Sequence, residues 1–135
     1  MTIKAGDALP EMTFMTMTAD GPAPVTTAEA FAGKKVALFA VPGAFTPTCS
    51  AKHLPGFIEK AADLKAKGVD RIACTSVNDV FVMDAWGKDQ GAGNAVMMLA
   101  DGNADFAEAI GLVFDGSKFG MRKRSQRYQM IVADA

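Results

Sequence analysis

Histidine and cysteine are scarce in this chain: one histidine, His53, and two cysteines, Cys49 and Cys74, stand among 135 residues. A zinc centre needs three or four nitrogen, sulfur or oxygen ligands at suitable spacing, and the two thiols form no CxxC pair, so the ligands of a metal site are missing. A disulfide scaffold is excluded for the same reason, and sparse cysteine fits a reducing compartment. Charge of one sign is lacking too. Fourteen Lys and Arg against fifteen Asp and Glu leave a formal net charge of -1, without the basic excess that nucleic-acid binding requires. The one dense basic run, Arg122-Lys123-Arg124, reads as a solvated strand end. No apolar run is long enough to cross a bilayer, and Met1-Thr2-Ile3-Lys4-Ala5-Gly6-Asp7 lacks the apolar core of a secretory signal. A soluble cytoplasmic protein, with no nucleic-acid or membrane partner, is the expectation.

What is present suits one compact domain. Half of the residues are hydrophobic, enough for one core at this length and too few for two. Glu11 to Thr18 reads as an N-terminal strand or hairpin. Thr26 to Phe31 reads as a short helix capped by Thr26 or Thr27 and ending near Gly33. The run Val36 to Val41 is apolar throughout, a buried strand that Pro42-Gly43 stops. Beyond it, Leu54, Phe57, Ile58, Ala61 and Leu64 recur at helical spacing, predicting a helix toward Gly68 with a bend at Pro55. Arg71 to Val77 reads as a strand, Asp79 to Lys88 as a helix and Val96 to Leu99 as a strand. Asp101-Gly102-Asn103 supplies a turn and cap for a helix over Ala104 to Ile110, which Gly111 ends, and Arg127 to Val132 is the last strand. Alternating strands and helices predict a parallel-rich α/β sheet.

In such sheets ligands gather outside the carboxyl ends of the strands. Cys49 follows the strand Val36 to Val41 and falls in the predicted first turn of the next helix, where unpaired N–H groups and the helix dipole favour a thiolate. Cys74 lies inside the apolar stretch Ile72-Ala73-Cys74 and reads as inert core. His53, four residues after Cys49, suits a hydrogen-bonding role behind the thiol better than a Cys-His acyl-transfer pair, since no orienting residue is recognisable. Arg122, Arg124 and Arg127 are rival partners for a thiolate, and strand alternation does not choose among them. Trp86, Phe81 and Phe45 read as core, and the nine methionines as core filling.

The string Pro42-Gly43-Ala44-Phe45-Thr46-Pro47-Thr48-Cys49-Ser50 resembles the peroxiredoxins, whose signature at the peroxide-reducing cysteine is Pro-x-x-x-Thr-x-x-Cys. Lys52-His53-Leu54-Pro55-Gly56-Phe57, Ser76-Val77-Asn78-Asp79 and Arg124-Ser125-Gln126-Arg127-Tyr128 are similar to the type-5 branch. A match in several segments in chain order is more specific than one short motif. The resemblance implies a thioredoxin-like α/β fold, a central mixed sheet flanked by helices, and a peroxidase with neither metal nor prosthetic group. It implies attack of the Cys49 thiolate on hydrogen peroxide or a small alkyl hydroperoxide, leaving a sulfenic acid. It assigns Arg127 to the thiolate and the departing oxygen, Thr46 to orienting the peroxide, and Pro42 to shielding the sulfur. Backbone N–H groups at Ala44 and Cys49 become candidate peroxide donors.

Members of that family ordinarily continue past Ile131-Val132-Ala133-Asp134-Ala135 with another strand and a helix. The resemblance therefore implies a single domain over 1–135, shortened at its C-terminus. Some members carry a second, resolving cysteine in that tail. Without one here, the expectation is a one-cysteine cycle completed by glutathione, glutaredoxin or thioredoxin, in a homodimer. A redox sensor that passes oxidation at Cys49 to a partner protein is the competing reading.

Overall fold

The computed structural model describes residues 2–46, 54–93 and 95–133. Its centre is a six-stranded sheet in the order β2-β1-β5-β4-β3-β8. The N-terminal hairpin pairs β1 (Thr13–Thr18) with β2 (Gly21–Thr26), setting Phe14 opposite Val25 and Met17 opposite Pro22. β2 was not foreseen as a strand. Its Pro22 and Pro24 cannot donate to a ladder, which confines them to a sheet edge, and β2 is at the edge. Helix α1 (Thr27–Phe31) begins where expected, at Thr26, whose hydroxyl accepts the Glu29 N–H while the Glu29 carboxylate accepts the Thr26 N–H.

β3 (Lys35–Ala40) lies between β4 (Arg71–Ser76), parallel to it, and β8 (Tyr128–Ala133), antiparallel. β4 runs parallel to β5 (Met97–Ala100), and β1 meets β5 antiparallel, so the sheet is mixed around a parallel centre. Alternation along β3 sends Ala37 and Phe39 to one face and Val36 and Leu38 to the other. On the first face α2 (Leu54–Glu59), α3 (Ala61–Ala66) and α4 (Val80–Asp89) cover Phe39, Cys74 and Trp86. Phe39 and Phe57 stack there with centroids 4.0 Å apart. On the second face α1 and α5 (Asp105–Ile110) cover Phe14, Leu38 and Leu99, and the Phe14 and Phe106 rings meet at 4.9 Å.

The described helix is interrupted at Lys60, whose ψ is 3°, and the bonds Lys60 N–H to Gly56 O and Leu64 N–H to Lys60 O persist across the break. The bend expected at Pro55 would act on the preceding turn, which lies outside the described residues. Two expectations are corrected. Phe45 and Phe81 are 52% and 62% exposed and are not core, whereas Trp86 is fully buried. Of the methionines described, only Met83 is deeply buried; Met17, Met98, Met12, Met97 and Met130 pack at the margins of the two cores. A small second sheet of β6 (Val113–Asp115) and β7 (Lys123–Ser125), with a 3-10 turn at Ser117–Phe119 between them, was also unforeseen.

Candidate active site

The parallel strands β3, β4 and β5 all end on one side of the sheet, and the chain leaving β3 crosses that side. Val41 N–H donates to Thr75 O at 3.2 Å, carrying the β3–β4 pairing one residue further before Pro42 ends it. The loop through Thr46 is then held by its own hydroxyl and by Asn78, and Arg124 lies beside it. Thr46 Oγ1 donates to Gly43 O at 2.6 Å, closing the loop on itself. Ala44 N–H donates to Asn78 Oδ1 at 2.9 Å, and Ser76 Oγ donates to the same oxygen at 2.7 Å. Arg124 donates through Nε to Met121 O and through Nη1 to Val77 O, both at 3.0 Å.

Gly43 suits this crowding. A Cβ there would lie 3.1 Å from Thr46 Cγ2 and 3.5 Å from both Arg124 Nη1 and the Met121 methyl. Phe45 takes φ of 63°, a left-handed conformation that costs a non-glycine residue about 1 kcal/mol or more. The loop therefore depends on its anchors.

The predicted site residues separate as follows. Pro42, Ala44 and Thr46 share this loop. Cys49 and His53 lie outside the described residues. The Ala44 N–H, a candidate peroxide donor, donates to Asn78 Oδ1 in this structure. Arg127 is exposed, between β7 and β8. Since Tyr128 pairs with Ala40, continuing the antiparallel register sets Arg127 level with Val41, at the start of the loop. Arg122 is exposed with φ of 56°. It adds to the depression of the Asp115 carboxyl, which comes first from the Ser117 hydroxyl and N–H. Arg124 departs from the expected solvated strand end: it is half-buried and pins two backbone carbonyls.

Asn78 and Ser76 are the positions that sequence reasoning left without roles. A polar residue just past the carboxyl end of a central parallel strand was the available signal.

Below the loop, on the α1 and α5 face, is a buried polar group. Asp101, 5% exposed, accepts the Phe106 N–H on Oδ1 and the Ala107 N–H on Oδ2, each at 3.0 Å. Burial raises its pKa, and these bonds only partly oppose that. Tyr128 is pushed far above the ordinary phenol value, first by burial and then by the nearby Asp101 and Cys74. Among the described residues neither its hydroxyl nor that of Thr75 has a hydrogen-bond partner.

Residues 4–135 match the redoxin family. Peroxiredoxin sll1621 of Synechocystis is 45% identical over 137 residues, covering 95% of this chain and 72% of its own length. The chain belongs to the peroxiredoxin family. The crystal structure of reduced Prx3 from Vibrio vulnificus in complex with hydrogen peroxide superposes on this peroxiredoxin with a TM-score of 0.95 at 54% identity, covering 98% of this chain and 83% of that one. The thioredoxin-like fold expected from the resemblance is thereby shown. The chloroplastic peroxiredoxin-2E-2 of rice is 55% identical over 138 residues, 98% of this chain. The chain spans 61% of that relative's length and 58% of the Arabidopsis peroxiredoxin-2E. None of the described helices of this peroxiredoxin is long and apolar enough to cross a membrane.

Proposed function

We propose that this chain is a thiol peroxidase of the type-5 branch. The Cys49 thiolate attacks one oxygen of hydrogen peroxide or a small alkyl hydroperoxide. The O–O bond breaks, the departing hydroxide or alkoxide takes a proton to leave as water or alcohol, and Cys49 becomes a sulfenic acid. The observation that carries this reading is the geometry of Thr46. Its hydroxyl proton is committed to Gly43 O, which leaves the oxygen's lone pairs as acceptors for a peroxide O–H. Arg127, level with the start of the loop, supplies positive charge for the thiolate and for the oxygen that leaves. Pro42 adds no donor and helps keep water from the sulfur. His53 supports the thiol from behind.

Return to the thiol needs two electrons from outside the chain. One thiol condenses with the sulfenic acid, releasing water and forming a mixed disulfide, and a second displaces Cys49. Glutathione with glutaredoxin, or thioredoxin, fills that role, since Cys74 is fully buried within β4. Such a cycle needs a reducing compartment. Cysteine usage alone suggests the cytoplasm, while the rice and Arabidopsis relatives are named chloroplastic. Phe45, Phe81 and Phe119, which are 52%, 62% and 73% exposed, are apolar side chains that a second copy would cover. Sedimentation should give twice the 14.2 kDa monomer mass, and Phe81→Asp should return it to the monomer; a wild-type monomer would refute the dimer.

The deciding experiment is stopped-flow oxidation of the reduced chain by hydrogen peroxide, followed by turnover with glutathione and glutaredoxin. A second-order rate orders of magnitude above that of free cysteine, with sustained turnover, is the expected result. A rate like free cysteine's would sink the peroxidase reading, and one fast oxidation without turnover would favour a redox sensor.

A further inference from the structure

We propose that Asn78 is a positioning residue for peroxide reduction, holding the Thr46 loop in its reactive shape through the Ala44 N–H; this rests on the peroxidase reading of the same site. Asn78 Oδ1 takes two donors, the Ala44 N–H at 2.9 Å and Ser76 Oγ at 2.7 Å. Ser76 is 1% exposed, and its carbonyl accepts the Asp101 N–H at 3.0 Å, so the hydroxyl that orients Asn78 belongs to the rigid end of β4. The loop cannot supply that rigidity. Phe45 is left-handed, and the contact that Thr46 makes with Gly43 fixes the loop only relative to itself. Asn78 therefore carries the register of the sheet into the segment that bears the Thr46 hydroxyl.

The chemistry also favours an amide over a carboxylate at this position. Either oxygen would accept the Ala44 N–H and the Ser76 hydroxyl. Only the amide does so without adding a negative charge against the loop that leads along the chain to Cys49, and such a charge would make the thiol harder to ionise. Geometry and charge at position 78 are thus separable by substitution. Asn78→Ala removes the anchor and adds no charge, while Asn78→Asp keeps the anchor and adds one.

The test compares wild type, Asn78→Ala and Asn78→Asp by two reactions across pH: oxidation by hydrogen peroxide and alkylation by iodoacetamide. Alkylation reports thiolate content and needs no oriented peroxide. Asn78→Ala should lose about 10- to 100-fold in the peroxide rate, as a misplacement near 1 Å would cause, with its alkylation profile unchanged. Asn78→Asp should shift both profiles to higher pH and, above the shifted thiol pKa, recover a peroxide rate within a few-fold of wild type. Melting temperatures check that each variant is folded, and if the alanine variant does not fold, the aspartate variant still decides. The proposal is overturned by an alanine variant oxidised at the wild-type rate, by equal losses in both reactions, or by an aspartate variant that stays slow at high pH. A slow wild type would instead refute the peroxidase reading itself.

Discussion

Cys49→Ser should leave no measurable reaction with hydrogen peroxide, and Arg127→Ala and Thr46→Val should each lower the second-order rate by about 100-fold or more. The three losses have different causes, which the pH profiles can tell apart. Serine removes the nucleophile, and no pH restores it. Alanine at 127 removes a fixed positive charge, so the thiol should ionise at higher pH, closer to the unperturbed value of roughly 8.5. Part of that loss should return in alkaline buffer, and the rest should persist because the leaving oxygen also loses its partner. Arg127→Lys should recover only part, since an ammonium lacks the planar fork. Valine at 46 keeps the volume of threonine without the acceptor, so its profile should keep the wild-type midpoint at a lower plateau, and Thr46→Ser should recover most of it. Arg124→Ala is the contrast. Its guanidinium is tied to the Met121 and Val77 carbonyls, so its main loss should be in melting temperature. If Arg124→Ala raised the thiol pKa more than Arg127→Ala did, the two arginines would have to exchange roles.

The elements legible in the chain were those whose signals are local. Thr26 before α1 and Gly111 after α5 mark helix ends by side chain or backbone freedom and cap where caps were expected, while Asp79, read as the first helical residue, proves to be the cap of α4. β2 was hidden because proline ordinarily argues against a strand, and only its edge position permits Pro22 and Pro24. β6 and β7, three residues each, are too short for alternation to register. Exposure of Phe45 and Phe81 was equally unreadable, since composition says a phenylalanine is apolar but not which neighbours cover it. The site divides in the same way. Pro42, Thr46 and Cys49 form a short-range signature, and Arg127, far along the chain, was singled out only by the resemblance. The contacts around the loop act across sequence: Asn78 reaches Ala44 over 34 positions, and Arg124 reaches Val77 over 47. Each meets a backbone group, which carries no sequence identity, so the residues involved did not announce the contact.

Asp101→Ala should produce a large loss of stability, about 2–4 kcal/mol, because it leaves the Phe106 and Ala107 N–H groups buried without an acceptor. α5 begins at a left-handed residue, Ala104, whose side chain makes no capping bond, so the Asp101 carboxylate does the capping from outside the helix. In a chain of this size the loss corresponds to a melting temperature lower by roughly 10 °C. Asp101→Asn should fall between the two, since one of the two acceptor oxygens becomes an NH2 group facing a donor. The pH dependence then has a definite sign. The folded pKa of Asp101 is raised, chiefly by burial, so the folded form binds this proton more tightly than the unfolded chain does. That contribution to stability is fully present below the unfolded carboxyl value of roughly 3.9 and is lost as pH rises through the folded value. Relative to Asp101→Asn, which does not titrate, wild type should therefore lose part of its advantage between about pH 4 and neutrality. Urea denaturation of both proteins at a series of pH values measures that difference directly. A wild-type advantage that grew with pH would mean that the two N–H bonds outweigh desolvation and that the carboxylate is stabilised where it sits. A melting temperature for Asp101→Ala within 2–3 °C of wild type would mean that water reaches the end of α5 and caps it as well as the carboxylate does.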